Sequence, residues 1–329
     1  MHPPRRWDLF CRVIDNFGDV GVAWRLAADL AGRGHAVRLW LDDASALAWM
    51  APSGASGVAL RPFADTGEAA GDVVVELFGC DPPEAFVERM AEGPRSPVWL
   101  NLEYLSAEDW VERSHGLPSP VSQGPGRGLV KWFYFPGFTP RTGGLIREPG
   151  LIEAVEAETR PAGPPMASVF CYDNPALPRL AKSYRGQLQL AQGPAQARAD
   201  LPGARLPWLT QHGYDRLLWR SELNFVRGED SLVRAIWAGR PFVWQPYAQA
   251  DGVHRRKLDA LLARLLDGAD AGLGGDVRRL WHAWNGFGPW PDRWPDPDPW
   301  HATCRRWRAA LCRQPDLVSQ LLTFVADRQ

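Results

Sequence analysis

The sequence lacks several features that would assign it to a class at once. Lys and Arg number 37 against 38 Asp and Glu, so there is no basic excess to hold a nucleic-acid backbone. No apolar run approaches the roughly 20 residues of a membrane helix, and the basic first residues precede no apolar signal core. We therefore expect a cytoplasmic protein that binds neither nucleic acid nor a membrane.

Cysteine is scarce and unpaired in its spacing. The five cysteines are an odd number and include no CxxC pair, which argues against a disulfide framework and a zinc knuckle. Cys11 and Cys171 stand in apolar, strand-like runs and are predicted to be buried thiols. No cluster of residues has the spacing of metal ligands, so we expect no metal and no other cofactor.

What the sequence does contain is an alternation of short apolar runs with helical stripes. In the first half, strands are predicted at 9–14, 36–41, 73–78 and 98–102, with helices at 20–30 and after Pro82. In the second half, strands are predicted at 167–172, 186–190, 223–226 and 241–244, with a helix at 229–238 and mostly helical sequence from 251 to 329. Such alternation with short connections is typical of parallel sheets covered by helices.

The length of 329 residues favours two domains. Gly and Pro are dense between about 137 and 165, and we predict a Pro-rich linker at 156–166. The predicted domains are 1–155 and 167–300, followed by helices at 301–329 for which packing back on the first domain is one option. Two doubly wound α/β domains would place a ligand cleft between them, at the carboxyl ends of the strands.

The first candidate site is the segment 15–21, where a strand meets a helix. It contains Gly18 and Gly21 but neither GxGxxG nor Gly-Lys-Ser/Thr, so it matches no dinucleotide fingerprint and no P-loop. Its distinctive feature is two carboxylates, Asp15 and Asp19, at a predicted helix N-terminus. They either form a turn and cap the helix, or they hold a cationic acceptor or serve as a general base. The residues alone leave both interpretations open.

The second candidate site is the segment 227–231, which also follows a strand and opens a helix. Backbone N–H groups and the helix dipole favour an anion there, with Arg227 as a phosphate donor, Gly228 for close approach and Ser231 for a hydroxyl. Glu229 and Asp230 would repel a diphosphate. We expect them either to satisfy the helix terminus or to contact sugar hydroxyls or a cationic acceptor.

Upstream, Trp208, Gln211 and Tyr214 combine planar stacking surfaces with an amide able to read the edge of a base. The alternative is two packed aromatic side chains and a surface glutamine.

Four separated segments, in this order, resemble the EarP family, the bacterial rhamnosyltransferases that modify an arginine of elongation factor P. They are FCRVIDNFGDVGV (10–22), FPGFTPRTGGL (135–145), LNFVRGEDS (223–231) and PFVWQ (241–245). The resemblance spans both halves of the chain. It implies a GT-B fold of two facing Rossmann-like domains with an interdomain cleft. It also implies inverting transfer of L-rhamnose from dTDP-β-L-rhamnose, without a metal.

The same resemblance implies roles for individual residues. The catalytic acids would be Asp15, Asp19 and Glu229, and the acceptor loop would include Asn16, Phe17 and Gly18. The dTDP-rhamnose site would contain Phe170, Tyr172, Trp208, Gln211, Tyr214, Arg227, Gly228, Asp230 and Ser231. Two other functions stay open at this point: a GT-B transferase with a small-molecule acceptor, and a nucleotide-sugar-binding protein without catalysis.

Overall fold

Strands and helices alternate through most of the chain. The computed structural model describes residues 3–64, 67–160, 162–247 and 252–328. The strands are β1 (Arg6–Cys11), β2 (Ala36–Leu41), β3 (Val58–Pro62), β4 (Val73–Leu77), β5 (Val98–Leu102), β6 (Pro118–Pro120), β7 (Val130–Tyr134), β8 (Met166–Val169), β9 (Gln187–Leu190), β10 (Ala204–Arg205), β11 (Leu223–Arg227) and β12 (Phe242–Gln245). The helices are α1 (Asn16–Gly32), α2 (Leu47–Met50), α3 (Glu84–Glu92), α4 (Trp110–Ser114), α5 (Leu151–Ala157), α6 (Leu177–Ser183), α7 (Pro194–Ala197), α8 (Gln211–Arg220), α9 (Gly228–Ala238), α10 (Val253–Leu265), α11 (Ala271–Trp284), α12 (Pro297–Cys312) and α13 (Leu317–Ala326).

The strands form two sheets. The first has the order β3-β2-β1-β4-β5-β7-β6, in which β6 and β7 pair antiparallel and the other neighbours pair parallel. The second has the order β10-β9-β8-β11-β12, and its neighbours all pair parallel. Both are therefore doubly wound sheets of the predicted α/β class.

The chain divides into two units, one around each sheet. The first unit comprises Met1–Glu148 and Gln314–Gln329, and the second comprises Pro149–Arg313. The division thus falls before α5 rather than in the predicted linker at 156–166, because α5 already belongs to the second unit. Pro161, inside that predicted linker, lies outside the described residues.

The last two helices belong to different units. The apolar face of α13 supplies Leu317, Val318 and Leu321 to the core that also contains Trp7 and Leu9 of β1. This burial places α13 in the first unit, whereas α12 stays with the second. The predicted C-terminal segment at 301–329 is therefore two segments, because only α13 carries an apolar face for the first sheet.

The sequence pattern located most central strands closely, and it missed several edge strands. The strands at 36–41 and 98–102 have the predicted bounds, but β1 runs from Arg6 to Cys11 rather than from 9 to 14. The edge strands β3, β6 and β10 and the partly buried β7 were not predicted, because Pro, Arg and Lys interrupt their apolar pattern.

Two further expectations concern burial and membranes. Cys11 and Cys171 are buried with free thiols, as predicted. Within the described ranges, none of the helices combines the length and the apolar character that crossing a membrane requires.

Candidate functional site: two carboxyl edges

In the first unit, the chain changes direction across the sheet at β1. Strands β2 and β3 lie on one side of β1, and β4 lies on the other side. Ligands of open α/β sheets bind at such a switch point, outside the carboxyl ends of the strands. Asp15 and Asp19 follow β1 directly, so both carboxylates belong to this edge.

Asp19 is a buried carboxylate that organises the loop before its own helix. It lies in the first turn of α1 and is only 4% exposed. Its Oδ2 accepts hydrogen bonds from the backbone N–H groups of Ile14 (2.9 Å) and Asp15 (2.8 Å). Burial raises the pKa of Asp19, and the negative charges of Asp15 and Asp42 act in the same direction, while the two backbone hydrogen bonds oppose them.

The capping interpretation of this segment needs correction. The helix starts at Asn16, four residues earlier than predicted, so Asp15 occupies the N-cap position and Asp19 lies inside the first turn. The Asp15 side chain makes no capping hydrogen bond, and its backbone carbonyl accepts from the N–H of Gly18 at 2.7 Å. Helix capping therefore does not account for the Asp15 carboxylate.

Gly18 leaves room for the Asp15 carboxylate. A Cβ on Gly18 would lie 2.8 Å from Oδ2 of Asp15, closer than a normal contact. Phe17 packs edge-on against Trp49, with ring centroids 5.1 Å apart, and so helps anchor the loop on the core. The side chain of Asn16, the remaining predicted loop residue, lies outside the described part of the structure.

We expect Gly18→Ala to lower by about tenfold any activity that depends on the Asp15 carboxylate, because the new methyl group displaces that carboxylate. Alanine is favoured over glycine inside a helix by up to about 1 kcal/mol, so the melting temperature should not fall with the activity. Steady-state kinetics and a thermal melt of the same preparation separate the two effects. Unchanged kcat/KM would show that the position of Asp15 is unimportant.

Asp42 is a neighbouring carboxylate that belongs to neither of the two predicted site segments. It follows β2, and its Oδ1 accepts from the N–H of Val13 at 2.9 Å, so it holds the same loop that carries Asp15. The available signal was its position, because an acid directly after a strand adjacent to β1 must lie at the same carboxyl edge.

In the second unit, the corresponding change of direction lies between β8 and β11. Arg227 ends β11 and is 7% exposed, with its guanidinium carbon 4.5 Å from the ring centroids of both Phe170 and Tyr172. Tyr214 meets Phe170 edge to face at 5.5 Å. The structure thus brings four of the residues predicted for the dTDP-rhamnose site into one cluster of aromatic rings around a guanidinium.

The turn after Arg227 depends on a left-handed glycine. Gly228 begins α9 with φ +65°, and its carbonyl accepts from Nε1 of Trp244 at 2.7 Å. The hydroxyl of Ser231 donates to the carbonyl of Arg227, so its hydrogen is used within the turn. Glu229 and Asp230 both lie in the first turn of α9, where negative side chains interact favourably with the helix dipole.

The three residues predicted to frame a base all lie at the amino end of α8. Thr210 caps this helix by accepting from the N–H of Gly213 at 3.0 Å, Trp208 before it is 52% exposed, and Gln211 is the first helical residue. Tyr214 is different, because burial raises the pKa of its phenol strongly while the Ser231 hydroxyl opposes the shift. Tyr214 therefore presents ring surface rather than an ionisable group.

A buried ion pair fixes α8 against α9. The guanidinium of Arg234 binds the Asp215 carboxylate through two hydrogen bonds of 3.0 and 2.7 Å, with both side chains buried. This bidentate pair sets the position of Tyr214 relative to the start of α9.

Gln245 and Tyr247 are further members of this edge that were not predicted as site residues. Gln245 pairs in register with Arg227, and its Oε1 accepts from the N–H of Tyr172 at 3.0 Å. Tyr247 meets the ring of Tyr172 edge to face at 5.6 Å. The signal for Gln245 was a polar residue ending the apolar strand next to β11.

Comparison with protein families gives one match that covers almost the whole chain. Residues 7–326 match the family described as Elongation-Factor P (EF-P) rhamnosyltransferase EarP. The chain is 40% identical to the protein-arginine rhamnosyltransferase of Pseudomonas aeruginosa, over 98% of this chain and 99% of that protein. It is 32% identical to the protein of the same name from Neisseria meningitidis serogroup B, over 99% of this chain and 98% of the relative.

Solved structures give the same assignment of fold. A structure described as the basis for EarP-mediated arginine glycosylation of translation elongation factor EF-P aligns with a TM-score of 0.62 and 26% identity, over 99% of this chain and 100% of that chain. The calicheamicin glycosyltransferase CalG4 aligns with a TM-score of 0.57 at 12% identity, over 99% of each chain, and supports the fold alone. The predicted GT-B α/β class and the predicted family resemblance are both confirmed.

Proposed function

Because this chain belongs to the EarP family and is a protein-arginine rhamnosyltransferase, we propose that it transfers L-rhamnose from dTDP-β-L-rhamnose to an arginine of elongation factor P. Inversion at the anomeric carbon is part of the proposal. The single observation that carries it at the site is the acid pair Asp15 and Asp19 at the carboxyl edge of the first sheet. A guanidinium acceptor is a cation at physiological pH, and paired carboxylates suit it.

The chemistry requires a base that acts during bond formation. Free guanidinium has a pKa above about 12, so its nitrogen lone pairs are delocalised and it is a poor nucleophile. We assign Asp19 to accept hydrogen bonds from the guanidinium and to take one proton as the N–C bond forms. The bond from the anomeric carbon to the diphosphate oxygen breaks at the same time, and dTDP leaves with the electron pair.

The donor side of the proposal rests on the second sheet. Arg227 supplies positive charge for the departing diphosphate, and the start of α9 adds backbone N–H groups. Trp208, Gln211 and Tyr214 are assigned to the thymidine, with Phe170 and Tyr172 beside it. Asp230 and Ser231 are assigned to the ribose and diphosphate side, and Gly228 lets the backbone approach.

The remaining acids are assigned supporting roles. Asp15 is assigned to orient the acceptor or its loop, and Glu229 is assigned to fix the loop or acceptor geometry. Asn16, Phe17 and Gly18 form the acceptor loop. The prediction that no metal takes part stays a prediction, and an assay with excess chelator tests it directly, since unchanged turnover is expected.

The experiment for the whole proposal is the intact mass of elongation factor P after incubation with the enzyme and dTDP-β-L-rhamnose. We expect one deoxyhexose increment, absent when the acceptor arginine is replaced by lysine. A transferase for small molecules would leave the mass unchanged while releasing dTDP with another acceptor. A protein that only binds nucleotide sugars would show a raised melting temperature with the donor and no product.

The proposal also predicts the acidic limb of the pH profile. The base must be ionised, so activity falls as pH drops through the pKa of Asp19. Because burial raises that pKa, we expect the limb above the ordinary aspartate value of about 4 in a profile of kcat/KM for the acceptor. Asp42→Asn removes one of the charges that raise the pKa, so it should move the limb to lower pH at an unchanged plateau. An identical limb in this variant would contradict the assignment.

A further inference from the structure

The second unit contains a cavity that is separate from its carboxyl edge. Its volume is about 340 Å³, within the range of small-molecule sites. Two of its lining residues, Trp219 and Arg240, precede β11 and β12 in the chain, whereas Arg227 ends β11. The cavity therefore lies at the amino ends of these strands, at the opposite edge of the sheet from Arg227.

One face of α12 gives the cavity a cationic wall. His301, Arg305 and Arg308 follow one another at helical spacing and all line the cavity, together with Arg240 from the loop after α9. Arg240 and Arg305 make no ion pair with any residue in the described ranges. Their charges are therefore available to an anion in the cavity.

The two acids that line the cavity are already matched. Glu158 accepts from Arg216 at 3.1 Å and from Arg220 at 2.5 Å, and neither arginine lines the cavity. Glu156 pairs with Arg308 at 3.1 Å and is otherwise exposed. Because each acid has its own cation, the charge left over in the cavity is positive.

Within the cavity lining, the guanidinium of Arg308 packs against the backbone of Gly239. Gly239 ends α9 in the left-handed conformation, with φ +64°. A Cβ at this position would lie 3.2 Å from three atoms of the Arg308 guanidinium. Glycine therefore serves twice here: it permits the turn, and it lets Arg308 lie against the backbone.

Trp219 contributes ring surface to the cavity. The side chain is 5% exposed and lines the cavity. Its indole N–H is itself buried, so the polar contacts that the cavity offers come from its arginines.

Hydrogen bonds to helix carbonyl groups explain the positions of Arg240 and Arg308 but not that of Arg305. Nε of Arg240 donates to the carbonyl of Trp219 at 3.2 Å, and an Nη of Arg308 donates to the carbonyl of Trp237 at 3.3 Å. Each of these bonds uses one of the five N–H groups of a guanidinium. Capping gives no reason for the position of Arg305 in the lining.

We propose that this cavity binds the phosphate group of a small phosphorylated molecule. Guanidinium groups from two segments, the loop after α9 and helix α12, supply donors from several directions, which suits the tetrahedral oxygens of phosphate better than the two coplanar oxygens of a carboxylate. The volume exceeds that of inorganic phosphate, so the cavity has room for the group that carries it. The site is distinct from the proposed donor site and does not depend on it.

The titration behaviour of the lining agrees with a positive potential. Burial lowers the pKa of His301, and the charges of Arg240, Arg305 and Arg308 lower it further, against the weaker opposing effect of Asp298. The pKa of Arg240 is also lowered, by burial and then by Arg160, Arg305 and Arg308, with Glu222 opposing. A bound dianion would offset the electrostatic repulsion between these cations.

The test is calorimetric titration of the full chain at low ionic strength with inorganic phosphate, a nucleoside 5′-monophosphate and a sugar 1-phosphate. We expect Arg305→Glu to weaken binding about tenfold, equivalent to about 1.4 kcal/mol. The matched control is Arg179→Glu, the same charge change at an exposed position of α6 outside the cavity. Arg240→Gln removes the second unpaired cation of the lining, and it should also weaken binding.

The outcomes distinguish a phosphomonoester from free phosphate as the ligand. They also distinguish this cavity from the site around Arg227. Tighter binding of a phosphomonoester than of inorganic phosphate identifies the carried group as part of the ligand. Equal binding identifies free phosphate as the ligand. If Arg305→Glu and Arg179→Glu bind phosphate equally, or if only Arg227→Ala abolishes binding, the proposal is overturned, because the anion then lies elsewhere.

Discussion

Asp19→Asn is expected to lower kcat for arginine rhamnosylation by about 10²- to 10⁴-fold, the range that general bases contribute. The substitution removes the negative charge and the site for the proton, while the amide oxygen can still accept the hydrogen bonds from Ile14 and Asp15. The loop should therefore keep its conformation. We expect the free energy of unfolding to change by no more than about 1 kcal/mol.

The matched control is Asp42→Asn, which makes the same chemical change at the same carboxyl edge. Asp42 also accepts hydrogen bonds from backbone N–H groups, those of Val13 and Asp43, both at 2.9 Å. If Asp19 acted only by holding the loop, the two variants would lose similar activity. A large loss confined to Asp19→Asn, in single-turnover assays with saturating donor, isolates the proton transfer.

Asp15→Asn refines the result. We assign Asp15 to orientation, so this variant should raise KM for the acceptor more than it lowers kcat, and Asp19→Asn should do the reverse. Near-normal turnover of Asp19→Asn would contradict the assignment of Asp19 as the base. A loss of kcat in Asp15→Asn would instead identify Asp15 as the base.

The fold could be predicted from the sequence where burial of both faces of a strand alone decides which residues occupy it. Central strands such as β2 and β5 are apolar except for one polar residue each, because both faces of a parallel sheet are buried. Edge strands such as β6, with the sequence PSP, pair on one side only and carry no such pattern. The division of the last helices required tertiary packing, because both α12 and α13 carry buried apolar side chains and only their contacts assign them to different units.

The candidate site could be predicted where a strand end coincides with an unusual polar pair. Arg227 and Asp19 stand out because each follows an apolar run, and the structure places each at a carboxyl edge. The contacts of their neighbours could not be inferred. The Arg227 guanidinium lies over the rings of Phe170 and Tyr172, a contact between residues more than 50 positions apart. The Asp19 carboxylate accepts from the nearby N–H of Ile14, which requires the helix to begin at Asn16, four residues earlier than predicted.

Arg227→Ala is expected to lower kcat/KM for the donor by about 10²- to 10³-fold. Removing one preorganised charge from a site of developing negative charge costs about this much in other enzymes. Arg227 is buried at the carboxyl end of β11, which holds its charge in a fixed position. The loss should appear in the KM for dTDP-β-L-rhamnose and in kcat, since both the bound and the departing diphosphate need the charge.

Arg227→Lys separates charge from shape. Lysine keeps the positive charge but loses the planar guanidinium that lies 4.5 Å from two ring centroids. It also loses the ability of a guanidinium to bind phosphate through two parallel hydrogen bonds. We therefore expect an intermediate loss of about tenfold. Full activity in the lysine variant would mean that only the charge matters and that the aromatic cluster merely packs.

The control for both variants is Arg198→Ala, at a more exposed arginine of the same unit that pairs with Asp200 at 2.6 Å. Thermal melts with and without dTDP distinguish a lost contact from a damaged fold. If Arg227→Ala melts like the unchanged protein but gains no stability from dTDP, the diphosphate contact is identified. If dTDP still stabilises the variant fully, Arg227 is a structural residue, and the diphosphate relies on the start of α9 instead.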